Sequence, residues 1–200
     1  MLTRTSDATE AHYFAAIHHG LLLVVVGRLD DAAARVADGT EQARRAGNAM
    51  ALAIWATIDG VVHLAAGRLS AARAATEFLP PPQRAGVTEL DMARMLILAE
   101  VAARTDDRTS LQQMINDAHN AYPTGSSFVG RGAAHVLALA AWQRGDVHDA
   151  MRWLGDITLF ESPLWPQVLD LVILGARVAS AAGDPTVHRG GRVCALNTRT

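Results

Sequence analysis

Gly60-Val61-Val62-His63-Leu64-Ala65-Ala66-Gly67-Arg68-Leu69-Ser70-Ala71-Ala72 reads as the close of one helix, a tight turn and the opening of the next. The apolar residues up to Leu64 have helical spacing, and Gly67 supplies the backbone freedom with which helices end. Leu69 and Ala72 then restart the helical period. The outline recurs along the chain. Placing Gly27, Gly67, Asp106, Gly145 and Gly183 in register gives intervals of 40, 39, 39 and 38 residues. Seven residues before each turn stands a small residue, namely Gly20, Gly60, Ala99, Ala138 and Ala176. Two residues after the turn come Leu29, Leu69 and Val147, and five after it Ala32, Ala72 and Ala150. The third unit departs with Arg108 and Leu111, the fifth with Pro185 and His188. Small side chains before the turn let the two helices of a hairpin approach closely, so Gly60→Leu is expected to wedge the second hairpin apart at a cost of about 1–3 kcal/mol or more.

Worked outward from that stretch, the chain reads as helix after helix. Helices are expected over Ser6–Val26, Asp30–Arg45, Ala49–Ala66, Ser70–Phe78, Glu89–Arg104, Ser110–Ala121, Val129–Arg144, Val147–Leu154 and Pro166–Ala182. Glycine or proline punctuates the ends, and Pro80-Pro81-Pro82 stops the fourth helix because proline lacks the amide hydrogen and clashes with the preceding turn. Pro80–Thr88 reads as a linker. No segment reads as a strand: Val24-Val25-Val26 and Val61-Val62 are β-branched but lie inside longer runs of helical spacing.

Composition bounds the function. The 200 residues are 50% hydrophobic and 19% charged, enough for a sizeable core. The net charge of -2 provides no basic field, so direct nucleic-acid contact by this segment is not expected. All 18 basic residues are arginine. The single cysteine, Cys194, cannot close an internal disulfide and fits a reducing compartment. Asp7 and Glu10 ahead of the first apolar run argue against a secretory signal, and the apolar runs, Leu21–Val26 among them, are too short to span a bilayer. A cytoplasmic chain with no membrane contact is expected.

A small residue, a turn glycine, a large apolar residue and an alanine, in that order and spacing, resemble the tetratricopeptide helix-turn-helix repeat over about Tyr13 to Gly183. The period is longer than the 34 residues of the standard repeat, the consensus aromatic positions are mostly aliphatic, and only Pro123 falls where a closing proline would. Such drift is similar to the degenerate repeats in the sensor arm of large bacterial transcription regulators of the MalT and LuxR type. The resemblance implies an all-α fold: a right-handed α-solenoid of about four to five antiparallel helix pairs over 1–183, with 184–200 as a frayed tail. It implies a non-enzymatic interaction scaffold, the effector- or partner-sensing arm of such a regulator without its ATPase and DNA-binding modules. The chain has no phosphate loop, which its lack of lysine forbids, and no basic recognition helix follows Gly183. The alternatives are a free-standing adaptor that binds a peptide of another protein, or the regulatory arm of a nucleotide cyclase. The expected partner is a protein or peptide, with room for a small-molecule effector.

Candidate chemistry is sparse. His18 and His19 are adjacent and point about 100° apart on a helix, and no other histidine has a zinc-site partner at helical spacing, so no metal is expected. Cys194 lies in the tail and no serine sits in a nucleophile elbow, so no catalytic residue and no cofactor are expected. Asp30-Asp31 and Asp106-Asp107 stand at helix starts, where carboxylates cap amides. In tetratricopeptide arrays the first helix of each hairpin lines a concave groove. That face is apolar in the first units (Phe14, Ile17, Leu21; Ile54, Thr57, Val61) and later carries Glu100, Arg104, His135, Trp142, Gln143, Asp170 and Arg177, the candidate ligand- or partner-binding set. The competing account is that Glu100, Arg104 and Arg177 are solvated or pair with one another and Trp142 is core. His63, where other units carry Leu23, Ala102, Ala141 and Ala179, is expected to be a core or interface histidine.

Overall fold

A computed structural model describes residues 15–79, 87–123 and 127–155, together with residues 174, 175, 177, 178, 180 and 181. All regular structure among them is helical. In chain order the helices are α1 (15–25), α2 (Leu29–Arg45), α3 (Ala49–Ala65), α4 (Leu69–Ala75) with a 3₁₀ turn at Thr76–Phe78, α5 (Glu89–Arg104), α6 (Arg108–Ala121), α7 (Ser127–Gln143) and α8 (Val147–Gly155). Residues 174, 175, 177, 178, 180 and 181 are helical again. The chain divides into two compact units, Met1–Pro81 and Pro82–Thr200.

The turns are built alike. At Gly27, Gly67 and Gly145 φ is +77°, +72° and +76°, the left-handed region open to glycine. Each glycine amide donates three residues back and the next amide five back, as Gly67 does to Leu64 (3.1 Å) and Arg68 to His63 (2.9 Å), so that the last carbonyls of the helix are satisfied. Asp106 takes the same role with φ +53°, and Asp107 donates to Ala102 at 2.9 Å. The following residue opens the next helix with nearly the same backbone at Arg28 (φ −84°, ψ 65°), Arg68 (−84°, 69°) and Asp107 (−81°, 81°). Only the side chains differ: Asp107 accepts from the Ser110 amide and Asp146 from the Asp149 amide, whereas neither arginine caps. Asp107 therefore starts α6 two residues before the expected Ser110. Of the four paired aspartates, Asp31 instead takes the Arg28 guanidinium at 2.7 Å, and Asp106 lies 3.4 Å from Arg108.

In the first unit α2 packs on α3 and α3 on α4. Ala32, Val36 and Ala43 of α2 are buried, and Leu29 is half-buried. The centre is Trp55 of α3, 1% exposed, which lies across Gly39 of α2 so closely that a Cβ there would stand 2.1 Å from its Cε2. Gly20 of α1 also faces Trp55 and Ile58, at 3.6 and 3.8 Å from where its Cβ would be. Gly60 is buried within α3.

In the second unit α7 packs against α5, α6 and α8, and α5 against α6. Thr88 opens α5 with a reciprocal cap: its hydroxyl accepts from the Asp91 amide and the Asp91 carboxylate accepts from the Thr88 amide. The core gathers Met92, Leu96 and Ala99 of α5, Met114 and Ala118 of α6, Val136 and Leu137 of α7, and Leu174 and Val178 beyond. Gly132 of α7 lies under Met92, 2.4 Å from its Cγ to a notional Cβ.

Candidate functional site

Glu100 and His135 face each other between α5 and α7. The Glu100 side chain is 11% exposed and that of His135 4%, with His135 Nε2 3.4 Å from Glu100 Oε1. The approach falls short of a well-formed hydrogen bond, and Nε2 finds no other partner. Arg104, one helical turn after Glu100, donates its Nε to Glu100 Oε2 at 3.3 Å while its side chain stays 38% exposed. Burial pushes the Glu100 carboxyl up, but the close imidazole of His135 and its charge, then the charge and hydrogen bond of Arg104, outweigh it and hold the carboxyl below the usual glutamate range. The group bridges two helices, with Glu100 and His135 buried and Arg104 partly exposed.

The opening lies next to it. A groove of about 430 Å³ runs between the end of α5, the start of α6 and the end of α7. Its floor is Ala102, Ala103, Leu111, Ile115 and Ala140; its rim carries Asp106, Asp107, Arg108, Gln112, Gln143 and Arg144. The rim charges are partly spoken for, since Arg144 lies 3.6 Å from Asp149 and Asp107 caps α6.

Of the seven residues singled out by the sequence, the structure therefore brings Glu100, Arg104 and His135 together, places Gln143 on the groove rim and packs Trp142 against the core of the second unit. Arg177 is exposed, and Asp170 lies outside the described residues. The contribution of α6 to the groove, through Leu111, Gln112 and Ile115, escaped the sequence reading. The only sequence signal for it is that Leu111 and Ile115 are apolar at i, i+4 on a largely polar helix.

His63 is half-buried and bridges the turn of its own hairpin. Arg68 Nε donates to His63 Nδ1 at 2.9 Å, which leaves the proton on Nε2, 3.6 Å from Asp59. Elsewhere Trp153 of α8 meets Tyr122 and His119 of α6 edge-on, at ring separations of 5.3 and 5.8 Å, with the Arg152 guanidinium over its face at 4.7 Å. Among the described residues no three His, Cys, Asp or Glu side chains gather as a metal ion would require, and no described helix is long and apolar enough to cross a membrane. Comparison with family models, with curated proteins and with solved structures found no match.

Proposed function

We propose that the chain is a non-enzymatic interaction scaffold, a right-handed α-solenoid of antiparallel helix pairs that holds a segment of a partner protein in the groove between α5, α6 and α7. The observation that carries the reading is the repetition of one turn, with the same left-handed conformation and the same hydrogen bond from the following amide five residues back, at Gly27, Gly67, Asp106 and Gly145. A chain that keeps one hairpin geometry at a fixed interval builds an extended surface by stacking, and such surfaces serve binding. The groove suits a peptide: an apolar floor takes side chains, and the Gln112 and Gln143 amides at the rim match backbone donors and acceptors.

The regulatory part rests on the resemblance to the sensor arms of MalT- and LuxR-type regulators, in which a ligand favours one curvature of the array and so shifts a population that attached modules read. Purifying the tagged chain from its native host and identifying what accompanies it tests the scaffold, with Ile115→Glu and Gln143→Glu as controls. Loss of the companion in both variants supports the groove; retention in both removes it. Transcript profiles of cells with and without the chain separate a regulator from an adaptor.

A further inference from the structure

The groove beside the α5–α6 turn sits where the repeat departs from its own register. Three residues before the turn and two after it, the first, second and fourth hairpins carry large apolar side chains: Val24 and Leu29, Leu64 and Leu69, Trp142 and Val147. Val24 and Leu64 are buried and the other four half-buried. In the third hairpin the same two positions hold Ala103 and Arg108, both on the groove, and the Arg108 side chain is 88% exposed. The apolar pair that flanks the other turns is therefore missing at this one. Leu111 departs as well: it is half-buried on the groove floor, where the other hairpins bury Ala32, Ala72 and Ala150 completely.

The charges around the opening are answered from within. Arg108 Nε lies 3.4 Å from Asp106, Arg144 lies 3.6 Å from Asp149, and the Asp107 carboxylate takes the amide and the hydroxyl of Ser110. A charged occupant would have to draw one of these groups from its neighbour and would bring its own charge onto an apolar floor, which costs free energy. A neutral occupant is the complementary one.

We infer that the groove selects an uncharged segment of a partner protein with two branched aliphatic side chains on one face, which take the places that Val24 and Leu29, or Leu64 and Leu69, hold beside their own turns. The inference rests on the peptide reading given above and names the class of peptide. In an extended segment every second side chain points to the same side, so a Leu-x-Leu or Val-x-Leu run with a neutral middle residue presents such a face. Its backbone then meets the Gln112 and Gln143 amides at the rim.

The probe is the capped peptide acetyl-Leu-Ser-Leu-amide, titrated into the chain and followed by NMR of the alanine, leucine and isoleucine methyl groups. Saturable shifts are expected at Ala103, Leu111 and Ile115, with acetyl-Asp-Ser-Asp-amide and acetyl-Lys-Ser-Lys-amide binding at least tenfold more weakly. Ala103→Leu restores an aliphatic side chain at the register position and should weaken the leucine peptide at least tenfold. Arg108→Leu does so from the other position and serves should Ala103→Leu melt early. No saturation at millimolar leucine peptide, equal binding of neutral and charged peptides, or unchanged affinity in both variants overturns the inference. The peptide reading is judged apart from it, by the companion protein: a companion lost in Ile115→Glu and Gln143→Glu but retained in Ala103→Leu and Arg108→Leu leaves that reading standing and removes this one.

Discussion

The two units solve one packing problem in different materials. In the first, α2 passes α3 with Gly39 pressed beneath the indole of Trp55, and the described core around it is apolar apart from Thr57 and Thr76. In the second, α7 passes α5 with Gly132 beneath the thioether of Met92, and the interface also buries the Glu100–His135 pair. An indole is a rigid plate with two side-chain torsions, while methionine has three flexible ones and adapts to irregular gaps. The turn connecting α1 to α2 and the one connecting α3 to α4 open their second helix at an arginine, those in the second unit at a capping aspartate. The fixed register therefore prescribes the path of the backbone and leaves each helix contact to find its own filling.

The sharpest way to break this comparison is to add one methyl group to each buried glycine. Gly39→Ala must displace the indole and is expected to cost about 2–3 kcal/mol, read as a fall in the thermal midpoint, because over-packing outweighs the roughly 1 kcal/mol that alanine gains over glycine in a helix. Gly132→Ala meets a side chain that can swing aside, so the two effects should come within about 1 kcal/mol of cancelling. Equal losses at both sites would refute the distinction between rigid and adaptable filling.

Next in size is the buried polar pair. Glu100→Leu or His135→Leu alone leaves a buried partner uncompensated and should lower stability by about 1–3 kcal/mol, whereas the double variant should recover most of it; urea midpoints of the four proteins decide. The pair also predicts an acid response. Because the native Glu100 carboxyl lies below its ordinary value of 4.5, the unfolded chain takes up that proton first as pH falls. The contribution is whole above 4.5 and disappears as pH drops through the lower native value. Glu100→Gln should remove this part of the acid slope, and amide exchange should report it in the second unit alone.

The smallest expected effects concern the turns. Gly67→Ala forces a Cβ into the left-handed region at φ +72° and should cost about 1 kcal/mol, while Asp106→Gly relieves the same strain at φ +53° and should gain a few tenths. Opposite signs in thermal melts of the two variants would show that the turns share one conformation in solution.

The turn register, the helical class and the pairing of small residues with glycine turns were legible because each depends on local chemistry. A residue must leave the helix with positive φ, and glycine or aspartate does so at least cost. Helix ends were less legible: Asp107 draws the start of α6 forward to Arg108, and α4 stops at Ala75 and tightens to a 3₁₀ turn before Phe78. The site residues were half legible. Spacing placed Glu100 and Arg104 on one helix face, but only the approach of α7 buried Glu100 against His135 and opened the groove beyond them.

The sequence by itself thus determined where the chain turns and which faces are apolar, since propensity, capping and hydrophobic period act over a few residues. Only the tertiary structure decided that Trp55 closes over Gly39, that Glu100 and His135 are sealed together, and that Leu22 is exposed where Val62, Val101, Ala140 and Val178 are buried. Those outcomes depend on which helix faces meet, and close packing sets that through contacts between residues far apart in the chain.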